Sequence, residues 1–236
     1  LLLSVFSLLL CLLSPLSVSA QDFPSGWPST PDISSASGVL MEASSGQVLF
    51  DKSMNEIRYP ASTTKVMTAL IILENIPDLN KNITFTDIIL PDLAPGNSTI
   101  NAQVGEVLTV EQCLYAIMLA SANEVCTQMA VEVAGSVESF TAMMNAKAVE
   151  IGCTNTHFVN ANGLPDPNHY TTAYDLYLMF NACSKNPTFI DIISQKSYSA
   201  TITSADGDQW TTEWIPTNYY SAGEATPPEG VNVLGG

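Results

Sequence analysis

The chain has 236 residues, 46% of them hydrophobic, and carries 7 Lys+Arg against 23 Asp+Glu for a formal charge of −16. So few cations exclude nucleic-acid binding, which needs clustered Lys and Arg, and the negative surplus opposes adhesion of the body of the chain to an anionic lipid surface. With only 13% charged residues and apolar periodicity along most of its length, the chain is not disordered; it reads as an acidic globular protein.

Residues 1–13 are almost wholly apolar, and Val18-Ser19-Ala20 places small residues where a signal peptidase reads. The run is short for a bilayer span and is broken by Pro15, so residues 1–20 read as a secretory signal, with an uncleaved anchor as the alternative. Cys11 follows Leu8-Leu9-Leu10, which lack the small residues of a lipoprotein site. Residues 21–36, rich in Ser and Pro, read as an extended leader, and residues 37–236 as the folded domain. The sequence does not begin with Met, and 231–236 reads as a strand entering a turn, so the chain is expected to be cut at both ends.

Ser44-Ser45-Gly46 between two apolar runs predicts a β-hairpin over 38–51. Pro60 stands at a favoured helix start, and from Ser62 to Glu74 the residues leave little polar face, which predicts a buried central helix. Residues 83–110 read as short β-prone pieces broken by Pro91, Pro95, Gly96 and Gly105. Helices are predicted at about 110–120, 123–134 and 136–151, the last closed by Gly152. A loop over 153–170, a helix over 172–183 capped by Thr171 or Thr172, and a strand over 198–203 follow, with loop and strand beyond.

The sharpest chemical feature is Ser62-Thr63-Thr64-Lys65 at the head of the buried helix. Residues three apart share a helical face, so the Lys65 amine can reach the Ser62 hydroxyl. A serine becomes a nucleophile when a base accepts its proton, and burial beside a helix N-terminus pushes a lysine toward the neutral form that can do so. The same N-terminus offers N–H groups to a tetrahedral oxyanion. Ser121-Ala122-Asn123 lies in the break between two helices, where a hydroxyl could relay a proton and an amide could clamp a substrate amide; a helix cap explains the same residues. Ser53-Met54-Asn55 has the same form.

Taken in order, Pro60-Ala61-Ser62-Thr63-Thr64-Lys65, Val104-Gly105-Glu106, Leu119-Ala120-Ser121-Ala122-Asn123-Glu124, Phe140-Thr141-Ala142-Met143-Met144-Asn145, Ile151-Gly152-Cys153-Thr154-Asn155-Thr156-His157-Phe158, Asn160-Ala161-Asn162-Gly163-Leu164 and His169-Tyr170-Thr171-Thr172-Ala173-Tyr174-Asp175 resemble the serine D-alanyl-D-alanine carboxypeptidases, the low-molecular-mass penicillin-binding proteins. The resemblance implies an α/β fold, an antiparallel sheet sandwiched by helices with a helical subdomain at about 78–175. It implies Ser62 as the acylated nucleophile, Lys65 as its base, Ser121 as a proton relay and Asn123 as a substrate contact. Its implied substrate is the D-alanine terminus of peptidoglycan stem peptides, with β-lactams as inhibitors, no cofactor and an extracytoplasmic location. Full-length relatives often add a C-terminal β-domain and an amphipathic membrane helix, which would give membrane association through a segment beyond Gly236.

There are departures. The family's third motif, Lys-Thr-Gly, does not occur; the resemblance places it just after Gly236, so a chain ending there is expected to be inactive. Ala122 and Glu124 stand where Gly and Asp are usual, and Tyr174 where many relatives carry Arg. Two other readings share the fold: a β-lactamase, disfavoured because no Glu-x-x-Leu-Asn follows the second motif, and a wall-binding pseudoenzyme. A Ser-His-Asp triad lacks its Gly-x-Ser-x-Gly elbow, and Cys153, His157, Asp166 and His169 fit no common zinc spacing. No carboxylate stands out as isolated in an apolar stretch. Cys113, Cys126, Cys153 and Cys183 are open to pairing or to burial as free thiols.

Overall fold

The computed structural model describes residues 31–217, 225–227, 229–230 and 233. The secretory signal at 1–20, most of the leader at 21–36 and the terminal strand at 231–236 lie outside the described residues, apart from 31–36 and Val233. From Ser35 onward the described chain packs into one compact unit around one hydrophobic core.

Strands β1 (Gly38–Glu42) and β2 (Gln47–Lys52) form the expected antiparallel hairpin, with a bulge between Leu40 and Met41. A 3-10 turn over Ala61–Thr64 leads into α1 (Lys65–Asn75). Met67, Thr68, Ala69, Leu70, Ile71 and Ile72 are all buried, as an all-round apolar surface requires. Helices α2 (Val110–Leu119), α3 (Asn123–Ala134), α4 (Val137–Glu150) and α5 (Ala173–Cys183) pack against α1. A second antiparallel sheet runs β3 (Asn82–Thr84), β4 (Val107–Thr109), β5 (Tyr198–Thr203), β6 (Gln209–Trp214). Helix α6 (Pro187–Ser194) packs on α2.

Local chemistry sets the helix ends. Thr109 and Gln112 form a reciprocal capping box for α2, Ser136 caps α4, and Thr172 caps α5 by accepting from the Asp175 N–H. Gly152, in the left-handed region at φ 91°, turns the chain after α4 so that the Cys153 N–H returns to the Ala148 carbonyl.

Three elements differ from the sequence reading. The predicted helix start at Ser62 is a 3-10 turn, because Ala61 sits at φ 48° and the Pro60 carbonyl accepts from both the N–H and the hydroxyl of Thr63. Within 83–110, residues Asp87–Leu93 are a 3-10 segment rather than a β piece; Gln128 Oε1 accepts from the Thr86 amide and hydroxyl at its head, while Ile89 is buried. Helix α6 was not expected, although Asn186 caps it, Pro187 stands in its first turn, and Phe189, Ile192 and Ile193 bury one face. The four cysteines, left open by the sequence, are free and buried.

Asn145 on α4 ties the following loop to the core: its Nδ2 donates to the Phe158 carbonyl and its Oδ1 accepts from the Phe158 N–H. Phe158 is itself buried. Asn145→Ala leaves that amide and carbonyl unpaired, at a cost of about 2 kcal/mol. Thermal unfolding is expected to fall by roughly 4–8 °C; an unchanged Tm would mean the pair does not anchor the loop.

Candidate active site

In a 3-10 turn residues i and i+3 eclipse one another, so the Ala61–Thr64 turn lines Ser62 up with Lys65. Ser62 is exposed, whereas Lys65 is only 2% exposed. Lys65 Nζ lies 3.1 Å from Ser62 Oγ, 2.6 Å from Asn123 Oδ1 and 2.7 Å from the Asn162 carbonyl oxygen. The two short contacts are to oxygens that only accept; the third is to a hydroxyl, which can also donate. A neutral amine satisfies all three at once, giving its two N–H groups to Asn123 and Asn162 and its lone pair to the Ser62 hydroxyl proton. Burial pushes the Lys65 ammonium below its ordinary range, while Glu124 and Asp92 act in the opposite direction. The neighbouring Cys126 thiol, pushed up to about 12 by burial, contributes no charge near neutrality.

The loop over residues 157–171 holds this turn and the start of α1 at four points, Ala61, Thr64, Lys65 and Thr68. Gly163 presses its backbone on Ala61: a Cβ there would meet the Ala61 carbonyl oxygen at 1.9 Å. Thr64 Oγ1 lies 2.7 Å from His169 Nε2, Asn162 offers its carbonyl to Lys65, and the Thr68 hydroxyl donates to the Ala161 carbonyl at 2.6 Å. Asn162 is fixed in turn by its Nδ2, which donates to buried Asp92 Oδ1 at 3.1 Å. Asn160 Oδ1 accepts from Gly163 N–H at 2.7 Å and its Nδ2 donates to the Leu164 carbonyl at 2.9 Å.

The second predicted pair divides. Asn123, in the first turn of α3, is brought onto Lys65, and its Nδ2 makes no hydrogen bond to a described residue. Ser121 is half-buried at φ 56°, in the link between α2 and α3, and its hydroxyl bonds to no described residue. Backbone strain of this kind costs about 1–3 kcal/mol and persists where the surroundings enforce it. The rival Ser53-Met54-Asn55 is a turn after β2, its Ser53 carbonyl accepting from Glu56 N–H.

Glu124, which the sequence did not single out as buried among the acidic residues, is turned into the interior. It is fully buried; Oε1 accepts from the amides of Ile100 and Ala102, Oε2 has no partner among the described residues, and burial pushes its pKa up. The Asn123 N–H donates to the Ser98 carbonyl, so the first turn of α3 holds the 98–102 segment at three residues, Ser98, Ile100 and Ala102. Sequence reasoning also missed Asn162, Gly163, Thr68 and Asp92 as parts of the site. The unbroken Asn160-Ala161-Asn162-Gly163-Leu164 was the available signal, since Asn-Gly marks a turn but does not say what the turn packs on.

The family model described as D-alanyl-D-alanine carboxypeptidase, peptidase S11, matches residues 26–222. The chain belongs to this family. Among S11 relatives, the D-alanyl-D-alanine carboxypeptidase DacF of Bacillus subtilis is 41% identical over 146 residues, covering 61% of this chain and 37% of that protein. DacB2 of Mycobacterium tuberculosis is 32% identical over 188 residues, covering 79% and 62%. The crystal structure of the Streptomyces K15 DD-transpeptidase superposes with a TM-score of 0.78 at 30% identity, covering 83% of this chain and 78% of that one. The chain therefore spans between 37% and 62% of the length of the first two relatives. The expected α/β architecture of antiparallel sheet and helices is shared with the K15 DD-transpeptidase structure.

Gly163→Ala tests the clamp. It adds a Cβ 1.9 Å from a backbone oxygen at a residue with φ +92°, so overpacking and left-handed strain combine to about 3 kcal/mol or more. A drop of Tm well beyond that of a surface Gly→Ala control is expected; a Tm within about 1 °C of the parent would show that the loop does not seat on Ala61.

Proposed function

We propose that this protein is a serine D-Ala-D-Ala carboxypeptidase acting outside the cytoplasm on peptidoglycan stem peptides, with Ser62 as nucleophile and Lys65 as general base. The observation that carries this reading is the buried Lys65 amine, bonded to two obligate acceptors and facing the Ser62 hydroxyl at 3.1 Å. Ser62 Oγ gives its proton to Lys65 Nζ and attacks the carbonyl of the penultimate D-alanine. The amide of Ser62 has no hydrogen bond to a described residue and is the backbone donor at hand for the oxyanion. Collapse of the tetrahedral adduct breaks the C–N bond, the proton passes to the departing D-alanine amine with Ser121 as relay, and an ester on Ser62 remains. Water then hydrolyses that ester. Asn123 Nδ2, unused by the protein, supplies a donor to the substrate backbone. The S11 family match over 26–222 supports the same reaction. Penicillins, as acylating substrate mimics, are the matching inhibitors.

A second reading follows from the structural neighbour named a DD-transpeptidase: the same ester would pass to an amine instead of water. Supplying a D-amino acid acceptor with a stem-peptide substrate separates the two by product.

Mass spectrometry of the penicillin-treated full-length protein is expected to place the adduct on the Ser62 peptide, and Ser62→Ala to take none; equal labelling of Ser62→Ala would sink the assignment. Lys65→Arg keeps the charge but cannot act as a base, because guanidinium does not deprotonate in proteins. Its acylation rate is expected to fall by about 10²–10⁴-fold, and retention of more than about a tenth would point to another base. Because the reactive Lys65 is the neutral form and burial lowers its pKa, acylation should rise with pH through a midpoint below the ordinary lysine value of 10.5.

A further inference from the structure

His169 is 1% exposed and reaches the catalytic turn through Thr64. Its two ring nitrogens meet different kinds of group. The Val159 N–H points at Nδ1 from 3.1 Å. A backbone amide only donates, so Nδ1 carries the lone pair. The proton of the neutral ring therefore sits on Nε2, 2.7 Å from Thr64 Oγ1, and is donated to it. The Phe158 ring closes on the imidazole edge-to-face at a centroid separation of 5.6 Å. His157 is held the other way: its Nδ1 lies 2.6 Å from the Asn168 carbonyl oxygen, which requires an Nδ1–H.

We propose that His169, locked by the Val159 amide in its Nε2–H tautomer, is a positioning residue that fixes Thr64 and so holds Ser62 Oγ against Lys65 Nζ. The reaction it serves is the one proposed above; the tautomer stands on geometry alone. Thr64 lies within the turn, between Ser62 and Lys65, and is fully buried, so a hydrogen bond on its side chain fixes the backbone that aligns the reacting pair. Asn162 and Gly163 hold the flanking residues Lys65 and Ala61, and His169 supplies the hold between them.

Protonation would break the arrangement, because a second N–H on Nδ1 would face the Val159 N–H. Burial pushes the imidazole down to about 4; Asp166 on the same loop favours the cation and His157 disfavours it. The 61–65 turn packed against it presents the Thr64 hydroxyl and, one residue on, Lys65, whose Nζ is turned to Ser62, Asn123 and Asn162. Nothing in that set supplies an acceptor to a second imidazole N–H.

The test joins a spectroscopic and a kinetic measurement on the full-length protein. Long-range ¹H–¹⁵N spectra of ¹⁵N-histidine-labelled protein at pH 7, assigned with His157→Gln, should show His169 as the Nε2–H tautomer and His157 as the Nδ1–H tautomer. The His169 signature should persist as pH falls toward 4. Stopped-flow acylation by a fluorescent penicillin should then slow by about tenfold or more in Thr64→Val, which removes the acceptor, with the loss in the acylation step rather than in initial binding; displacing reacting groups by about 1 Å costs up to about 10² in rate. Thr64→Ser should stay within about threefold of the parent. An Nδ1–H or cationic His169 at pH 7 overturns the proposal whether or not penicillin reacts, as does a Thr64→Val that acylates at the parental rate. A parent protein that takes no label overturns the hydrolase reading, and the tautomer then decides the geometry by itself.

Discussion

Burying a lysine amine is the constraint on which the rest of this site depends. An ammonium inside a protein is costly unless every N–H finds an acceptor, and the penalty drives the group toward its neutral form. Here the acceptors come from far apart in the chain: a side-chain amide at the start of α3 and a backbone carbonyl in the loop over 157–171. The loop must therefore approach α1 at backbone distance. Only a residue without a Cβ allows that, and Gly163 occupies the place where the backbone rests on the Ala61 carbonyl. The 3-10 geometry of the turn follows from the same approach, since Ala61 is held at φ 48° beneath it.

The supports of the site are themselves supported. Asn162 holds Lys65, Asp92 holds Asn162, and Asn145 on α4 holds the loop at Phe158. On the opposite flank, α3 brings Asn123 to Lys65 with its side chain and secures the 98–102 segment through its amide and through Glu124. The buried surface of α1 supplies the rigid floor beneath both flanks. Side chains placed by packed helices and short hydrogen bonds are already ordered, which is the preorganisation the proposed reaction would draw on.

Periodicity made the helices legible: an apolar surface over 66–73 has one stable place in a small protein, the interior, and α1 is there. The Ser62–Lys65 pair was legible for the same reason, since spacing and burial together leave the amine one neighbour in sequence to serve. What could not be read was every contact joining distant segments. Nothing local to Asn162 says that its carbonyl faces an amine almost a hundred residues back, and nothing local to Glu124 says that its carboxyl turns inward toward Ile100 and Ala102. Those facts belong to tertiary packing, and an alternating or 3.6-residue pattern carries no record of them. Helix α6 is a different case: its cap, its proline and its buried face were all written locally at Asn186, Pro187, Phe189, Ile192 and Ile193, but in only eight residues.

The kind of acceptor, rather than burial alone, separates Lys65 from the lysine ion pairs of this protein. Lys147 Nζ lies 2.8 Å from Glu150 Oε1 and 3.0 Å from Glu74 Oε2, and those carboxylates raise its pKa. Lys81 pairs with Glu132 and Arg58 with Glu56 in the same way, as an acidic surface makes easy. Lys65 sits among carboxyl groups too, but none of them takes its N–H: Asp92 Oδ1 is engaged by Asn162 Nδ2 and Glu124 Oε1 by backbone amides. Neutral oxygens stand between the amine and the charges. A neutral amide acceptor satisfies an N–H of the amine without the extra stabilisation that a carboxylate gives an ammonium, so it does not favour the positive charge as an ion pair does. Replacing Asn123 by Asp would reverse that arrangement at a single atom, turning the base of the proposed reaction into one more ion pair of the kind that covers the surface.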